Sequence, residues 1–338
     1  MKAPRVHAHL ENLSSKPRIF HLTRELVRGA QRANRDLAHK VKFTVGEDFA
    51  DLEARLTTAQ VLVTSTDVLR HPRFPLLHLA QRAPNLRLVQ LIGAGVERLL
   101  PLDWLPRPVR LATASGVHVE KARESLTMAL LALNARLPEI VWNQRHARWD
   151  MIFTPLVRGK TVAVIGLGDM GRAAVESSRG LGLNVIGVRR SGKKVAGVQR
   201  VYRPAQLAAA LRRADFIVVA APLTSETRNL LSARVLRETK RGVGIVNVGR
   251  AGVVDYDALA KLLRTGHVSG AVLDVFAEEP LPSSSALWST PNVIITPHVS
   301  SDDLDGYMPA TMDLVCRNLR RLIAGRTLEN VVRPGRGY

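Results

Sequence analysis

The chain has 338 residues, 46% of them hydrophobic, with 49 Lys and Arg against 29 Asp and Glu for a formal net charge of +20. That length and apolar content exclude a disordered chain and point to about two domains of ~150 residues each. One cysteine, Cys316, excludes an internal disulfide, no CxxC or HExxH spacing offers metal ligands, and no uncharged apolar run reaches the roughly 18 residues of a membrane helix.

From the first residues, MKAPRVHAHLENLSS, the apolar centre of a secretion signal is missing, so a soluble, cytoplasmic protein with no membrane partner is expected. Short apolar runs then alternate with amphipathic stretches, the pattern of an α/β protein with parallel sheets. In the first third, strands are expected at 5–10, 41–45, 61–64, 86–92 and 109–113, with helices such as 19–32 and 76–82 between them. This makes one small doubly wound domain. His7 and His9 share one face of the first strand and are read as surface residues rather than a metal site.

A long helix rich in Leu, Ala and Met follows at 121–137, stopping near Pro138. Its apolar face is buried either in a domain core or in a dimer interface. A second α/β series begins at Lys160, with strands at 161–165, 184–188, 216–220, 244–248, 270–275 and 293–296. Residues 301–325 form a last helix, and the tail VVRPGRGY is expected to be loose.

TVAVIGLGDMGRAAVESSRGLG (161–182) sets Gly166, Gly168, Asp169, Met170 and Gly171 between an apolar strand and an Ala-rich helix. The first glycine permits the tight turn, the second lets a pyrophosphate approach the backbone, and the third lets helix and strand pack closely. Free amides at the helix start then bind the phosphates. An NAD enzyme places Asp or Glu about 20 residues further on, to hold the ribose 2′-hydroxyl. Here the segment reads NVIGVRRSGKK, with Arg189, Arg190 and Ser191 at that point. Guanidinium groups and a hydroxyl bind a 2′-phosphate that an acid would repel, so the expected cofactor is NADP(H); an exposed basic loop is the plainer alternative.

In open parallel sheets, ligands sit beyond the carboxyl ends of the strands. GVGIVNVGRAGVVD brings Asn247 and Arg250 to one such end, VSGAVLDVFAEEPL brings Asp274 and Glu279, and NVIITPHVSS brings His298. Hydride addition to a keto group leaves an oxyanion that needs a proton, which a histidine supplies. A carboxylate bonded to that histidine fixes the ring; Glu279 fits this role, with Glu278 as the alternative. Arg250 suits the carboxylate and carbonyl of a 2-keto acid.

GKTVAVIGLGDMG, VNVGRAGVVD, LDVFAEEPL and TPHVS together resemble, in order and spacing, the D-isomer-specific 2-hydroxyacid dehydrogenase family, in particular its NADP-using glyoxylate and hydroxypyruvate reductase branch. The resemblance runs from about Leu91 to Val332. It implies Arg250 as substrate-binding arginine, Glu279 as the acid paired with histidine and His298 as proton donor. It also implies cofactor contacts at Pro222, Val248 and Asp274, and backbone amides at Gly93, Ala94 and Gly95 (in LIGAGVERL) for the substrate carboxylate. The implied fold is a Rossmann cofactor domain, residues 116–298, inserted into a flavodoxin-like substrate domain, residues 1–115 and 299–338. Closure over the substrate and a homodimer built through the cofactor domain are further implications. Glu97, Ser125 and Ser301-Asp302-Asp303 depart from the frequent family pattern, and the last of these bears on the substrate pocket.

The expected reaction is therefore NADPH-dependent reduction of a small 2-keto acid of the glyoxylate or hydroxypyruvate kind to its D-2-hydroxy acid. Alternatives are NAD-dependent oxidation on the same fold and a cofactor-sensing, corepressor-like binding protein. Of the 49 basic residues 39 are Arg, spread along the whole chain, and only 4% of residues are aromatic, so no nucleic-acid partner is expected. Arg189, Arg190, Lys193, Lys194 and Arg250 have anions to bind; the other basic residues have no assigned task.

Overall fold

The apolar runs form parallel strands, because a strand covered by helices on both faces must be apolar on both. The computed structural model describes residues 5–12, 17–74 and 76–333, so the opening residues 1–4 and the tail beyond residue 333 lie outside the described residues. The chain divides into two compact units, Met1–Val117 with Asp303–Tyr338, and His118–Asp302.

The first unit runs β1 (Val6–Glu11), α1 (Arg24–Ala33), β2 (Val41–Gly46), α2 (Phe49–Leu56), β3 (Val61–Thr64), α3 (Thr66–Leu69), α4 (Leu79–Arg82), β4 (Leu88–Leu91) and β5 (Arg110–Ala112). All pairs are parallel in the order β2-β1-β3-β4-β5, the flavodoxin-like arrangement. One face buries Val27 of α1 and Met312, Val315 and Leu319 of the C-terminal helix (Tyr307–Ile323) against Ala8 and Leu10. The other buries Leu52, Leu56 and Leu79 of α2 and α4. The C-terminal helix starts at Tyr307, later than expected: Asp303 turns the chain first, accepting from Asp305 N through Oδ1 and from Tyr307 N through its carbonyl. The Tyr307 hydroxyl then donates to the Ile92 carbonyl at 2.8 Å.

His7 and His9 correct the expectation of a surface pair. They are 7% and 0% exposed and bond Thr44 Oγ1 at 2.8 and 2.9 Å, with Thr58 Oγ1 3.0 Å from the second His7 ring nitrogen. α2 covers their face of the sheet, and Thr44 of the neighbouring β2 supplies the polar partner, which strand alternation alone does not reveal. Among the described residues no group of His, Cys, Asp and Glu could hold a metal.

The second unit contains α5 (Val119–Asn134), α6 (Leu137–Arg145), β6 (Thr161–Ile165), α7 (Asp169–Gly180), β7 (Asn184–Val188), β8 (Arg200–Tyr202), α8 (Leu207–Leu211), β9 (Phe216–Val219), α9 (Ala233–Arg237), β10 (Val243–Asn247), α10 (Tyr256–Arg264), β11 (Val268–Leu273) and β12 (Val293–Ile295). Its order, β12-β11-β10-β9-β6-β7-β8, is a Rossmann sheet with the crossover point between β6 and β9. Leu126, Leu130 and Leu133 of α5 pack with Ala173 and Ala174 of α7 over Val162 and Val218. Pro138 does not end α5. Arg136 breaks the helix at φ 53°, and Pro138 opens α6, where a missing backbone N–H is harmless. No helix among the described residues is long and apolar enough to cross a membrane.

Candidate active site

β6 delivers the glycine loop. Gly166 has φ 88°, and a Cβ there would stand 2.7 Å from the Ala221 backbone; a Cβ on Gly171 would stand 2.0 Å from the Gly166 carbonyl. Only glycine fits either position. Gly168 differs: it is exposed, opens α7 as its cap, and a Cβ there would meet nothing within 4 Å. The open space lies at the amide end of a 12-residue helix, where the dipole favours phosphate. Asp169 and Met170, half-buried, form the first turn, with Arg172 3.9 Å from the Asp169 carboxylate.

At the end of β7, Arg189 is half-buried and forms no ion pair among the described residues. Arg190 is exposed and reaches Glu226 Oε2 at 3.5 Å. Gly192, at φ 63°, turns the loop, and Ser191 Oγ accepts from Lys193 N at 3.3 Å. Beyond β9, the Pro222 carbonyl accepts from Thr227 Oγ1 at 2.7 Å, and Val248, 8% exposed, continues β10 by donating to the Val219 carbonyl.

The loop carrying Arg250 is fixed by Asn247, which is fully buried. Its Oδ1 accepts from Gly249 N at 3.1 Å, and its Nδ2 donates to the Arg250 carbonyl at 3.2 Å and to Tyr256 Oη at 2.9 Å. Tyr256 in turn donates to the Val275 carbonyl at 2.8 Å, and burial pushes its hydroxyl well above the usual tyrosine range. One tyrosine therefore ties the arginine loop to the acidic loop after β11.

In the acidic loop Glu278 is exposed, whereas Glu279 turns inward. Its Oε1 accepts from Phe276 N at 2.8 Å, and its Oε2 lies 2.8 Å from His298 Nδ1. Of the two candidate acids, Glu279 is the one beside the histidine. His298 has φ 55°, a left-handed conformation that costs a non-glycine residue about 1–3 kcal/mol. Asp274 holds that turn. It is 2% exposed, and its oxygens accept from Thr296 Oγ1 (2.6 Å), Val299 N (3.1 Å), Ser300 N (3.2 Å) and Ser300 Oγ (2.6 Å). Its carboxylate is thus engaged by the histidine loop itself.

In the other unit, Gly93, Ala94 and Gly95 follow β4. Ala94 is exposed, the Gly93 carbonyl accepts from Ala114 N at 2.9 Å, and the Gly95 carbonyl accepts from Thr66 Oγ1 at 3.4 Å. A Cβ on Gly93 would meet nothing within 4 Å.

Residues 127–300 match the NAD binding domain of the D-isomer specific 2-hydroxyacid dehydrogenases. The chain belongs to this family. It is 34% identical over 256 residues to a glyoxylate reductase of Thermococcus kodakarensis, covering 70% of this chain and 73% of that one. In fold it is similar to a D-isomer specific 2-hydroxyacid dehydrogenase of Xanthobacter autotrophicus solved with NADPH and MES, at TM-score 0.80 and 30% identity, covering 98% of this chain and 99% of that one. It is also similar to an NADPH-dependent glyoxylate/hydroxypyruvate reductase of Sinorhizobium meliloti solved with NADP and sulfate, at TM-score 0.80 and 28% identity, covering 98% and 100% of the two chains. As a dehydrogenase of this family it is an oxidoreductase that uses a nicotinamide dinucleotide and acts on small 2-keto or 2-hydroxy acids.

Three residues of this dehydrogenase's site have no role assigned by the sequence, although Asp302 stands in the run that departs from the family pattern. His118, at the start of α5, lies 3.4 Å through Nδ1 from the Ser301 carbonyl; burial pushes it down to about 4, and the nearby charge of His298 adds to the shift. Burial holds the Asp302 carboxyl above its usual range, an effect that His298 opposes and Asp274 reinforces. Tyr256 is the third. Its position directly after the Asp255 cap of α10 is the only sequence signal that it faces β10.

Proposed function

We propose that the chain is an NADPH-dependent reductase of a small 2-keto acid of the glyoxylate or hydroxypyruvate kind, forming the D-2-hydroxy acid. The observation that carries this reading is the His298–Glu279 pair at 2.8 Å, held on the loop that leaves a Rossmann strand. NADP(H) in place of NAD(H) is supported by the basic end of β7, where Arg189, Arg190 and Ser191 stand and no acid does. Gly166, Gly168, Asp169, Met170 and Gly171 form the phosphate cradle, and Pro222 and Val248 line it further along.

A reduced nicotinamide supplies hydride when bound. Hydride added to the keto carbon leaves the former carbonyl oxygen as an alkoxide, and one proton on that oxygen completes the alcohol. With His298 Nδ1 turned to Glu279, Nε2 is the atom that gives this proton. Glu279 orients the ring, and the Phe276 amide orients Glu279. Arg250 binds the substrate carboxylate and polarises the carbonyl, with Gly93, Ala94 and Gly95 proposed as further amides for that carboxylate. Asp274 acts behind these groups, keeping His298 in its left-handed turn.

NADPH absorbance followed with glyoxylate, hydroxypyruvate, pyruvate and bulkier 2-keto acids tests the assignment. Turnover is expected with the smaller acids, and a His298→Ala variant is expected to lose about 10²–10⁴-fold in kcat, the range for a general acid. Absence of turnover with every acid, or full activity after the substitution, overturns it.

A further inference from the structure

Arg87, Arg110, Arg326 and Arg333 line one cavity of about 820 Å³ in the first unit, with Pro108, Leu322, Leu328 and Val331 as its apolar part. We propose that this cavity is a binding site for a small organic polyphosphate, a molecule such as a nucleoside di- or triphosphate that joins an apolar body to several phosphoryl groups. Its position separates it from the substrate loop. Arg87 directly precedes β4 and Arg110 begins β5, so the cavity sits at the amino ends of strands whose carboxyl side carries Gly93–Gly95.

The charge is unbalanced locally. No carboxylate is among the described lining residues, and none of the four arginines forms an ion pair among the described residues. Arginines elsewhere on the surface do pair, as in Arg55–Asp51, Arg212–Glu238 and Arg320–Asp36. Glu329, the nearest acid in sequence, is already engaged at 3.0 Å by both Arg317 and Arg321. Burial works against its ionisation, yet those guanidinium groups hold its carboxyl below the usual carboxylate range. The carbonyl end of the C-terminal helix lies here as well, but it amounts to about half a negative charge, far short of four cations.

The walls are fixed before any ligand arrives. Gly325, at φ 63°, turns the chain out of the helix, and the returning segment is laced to β5. Val331 bridges Ala112 in antiparallel register, Val332 N donates to the Leu111 carbonyl at 2.8 Å, and Asn330 Nδ2 donates to the Ser115 carbonyl at 2.7 Å. Arg321 Nη1 holds the Thr327 carbonyl at 3.0 Å. Guanidinium forks on such a frame bind phosphoryl oxygens in pairs, and the volume lies within the roughly 300–1,000 Å³ of small-molecule sites.

Titration calorimetry with ATP and with tripolyphosphate, at physiological salt and with saturating NADPH so that the glycine loop is filled, tests the proposal. One saturable site per chain is expected for both, tighter for ATP because of the apolar lining, and weakening as salt rises. R87E/R326E is expected to weaken it about a hundredfold or more while 2-keto acid turnover is retained; R110Q/R333Q serves if the first variant does not fold. Binding that NADPH abolishes, or that survives the charge changes, overturns the site. So does binding of duplex DNA or anionic vesicles with none of either small anion.

Discussion

Arg189 and Arg190 occupy the position from which an acid would select the ribose hydroxyl, but the two are not equivalent. Arg190 is exposed and shares its guanidinium with Glu226, so part of its charge is already answered. Arg189 is half-buried with no such partner among the described residues, and it follows β7 directly, its N–H donating to the Tyr202 carbonyl at 3.1 Å. On the proposed NADP(H) reading, discrimination is expected to rest first on Arg189. A charge-assisted hydrogen bond contributes about 1.5–3 kcal/mol, so Arg189→Asp is expected to cut the NADPH-over-NADH ratio of kcat/KM roughly tenfold or more, with a smaller loss for Arg190→Ala. Steady-state kinetics with both cofactors measure this, and an unchanged ratio for the Arg189 variant removes the proposed NADP selectivity.

Three loops leave β10, β11 and β12 with the residues expected to do the chemistry, and buried polar groups lock them together. Tyr256 is the cross-brace, accepting from Asn247 on the arginine side and donating to Val275 on the acidic side. Tyr256→Phe keeps the ring beside Phe276 but leaves a buried N–H and a buried carbonyl unpaired, at a cost of about 1–3 kcal/mol in stability. If the hydroxyl positions Arg250, the KM for the 2-keto acid rises several-fold while the KM for NADPH stays put. A stability loss with both KM values unchanged assigns Tyr256 to packing alone.

Strands such as Thr161–Ile165 and Asn184–Val188 were legible to the residue because buried parallel strands are continuous apolar runs with glycine turns at their ends. β8 was not: Arg200–Tyr202 is three residues long and carries an arginine, stacked 4.7 Å over the Tyr202 ring. α6 was missed because proline both stops one helix and starts the next, and only the left-handed Arg136 between them separates the two cases. The pairing of Glu279 with His298 at strand ends could be read from residue type and position. What supports those residues could not, since Asp274 and Tyr256 act through partners 22 to 26 and 9 to 19 positions away along the chain.

At the scale of the whole molecule, the apolar surface is concentrated as the charge is not. Trp149 is 95% exposed, Phe153 86% and Leu156 82%, all on an irregular segment after α6, and Met128 and Leu131 are exposed on the outward side of α5. Only the inward side of α5 is spent on the core. The segment is tethered, with Asn143 Nδ2 donating to Asp150 at 3.2 Å and Asn134 Nδ2 to the Pro155 carbonyl at 3.0 Å, so its aromatic groups are presented on a held backbone. Exposed apolar groups of this size favour association. Phe and Trp bury roughly 150–250 Å² each, and at about 25 cal/mol per Å² each contributes roughly 4–6 kcal/mol before the cost of association. A second copy presenting the same segment covers both surfaces at once, as a two-fold interface requires. We therefore expect a dimer at micromolar concentration in light scattering, converted to monomer by W149E/F153E with the Rossmann unit still folded by circular dichroism. A wild-type monomer, or a dimer indifferent to both substitutions, rules this interface out.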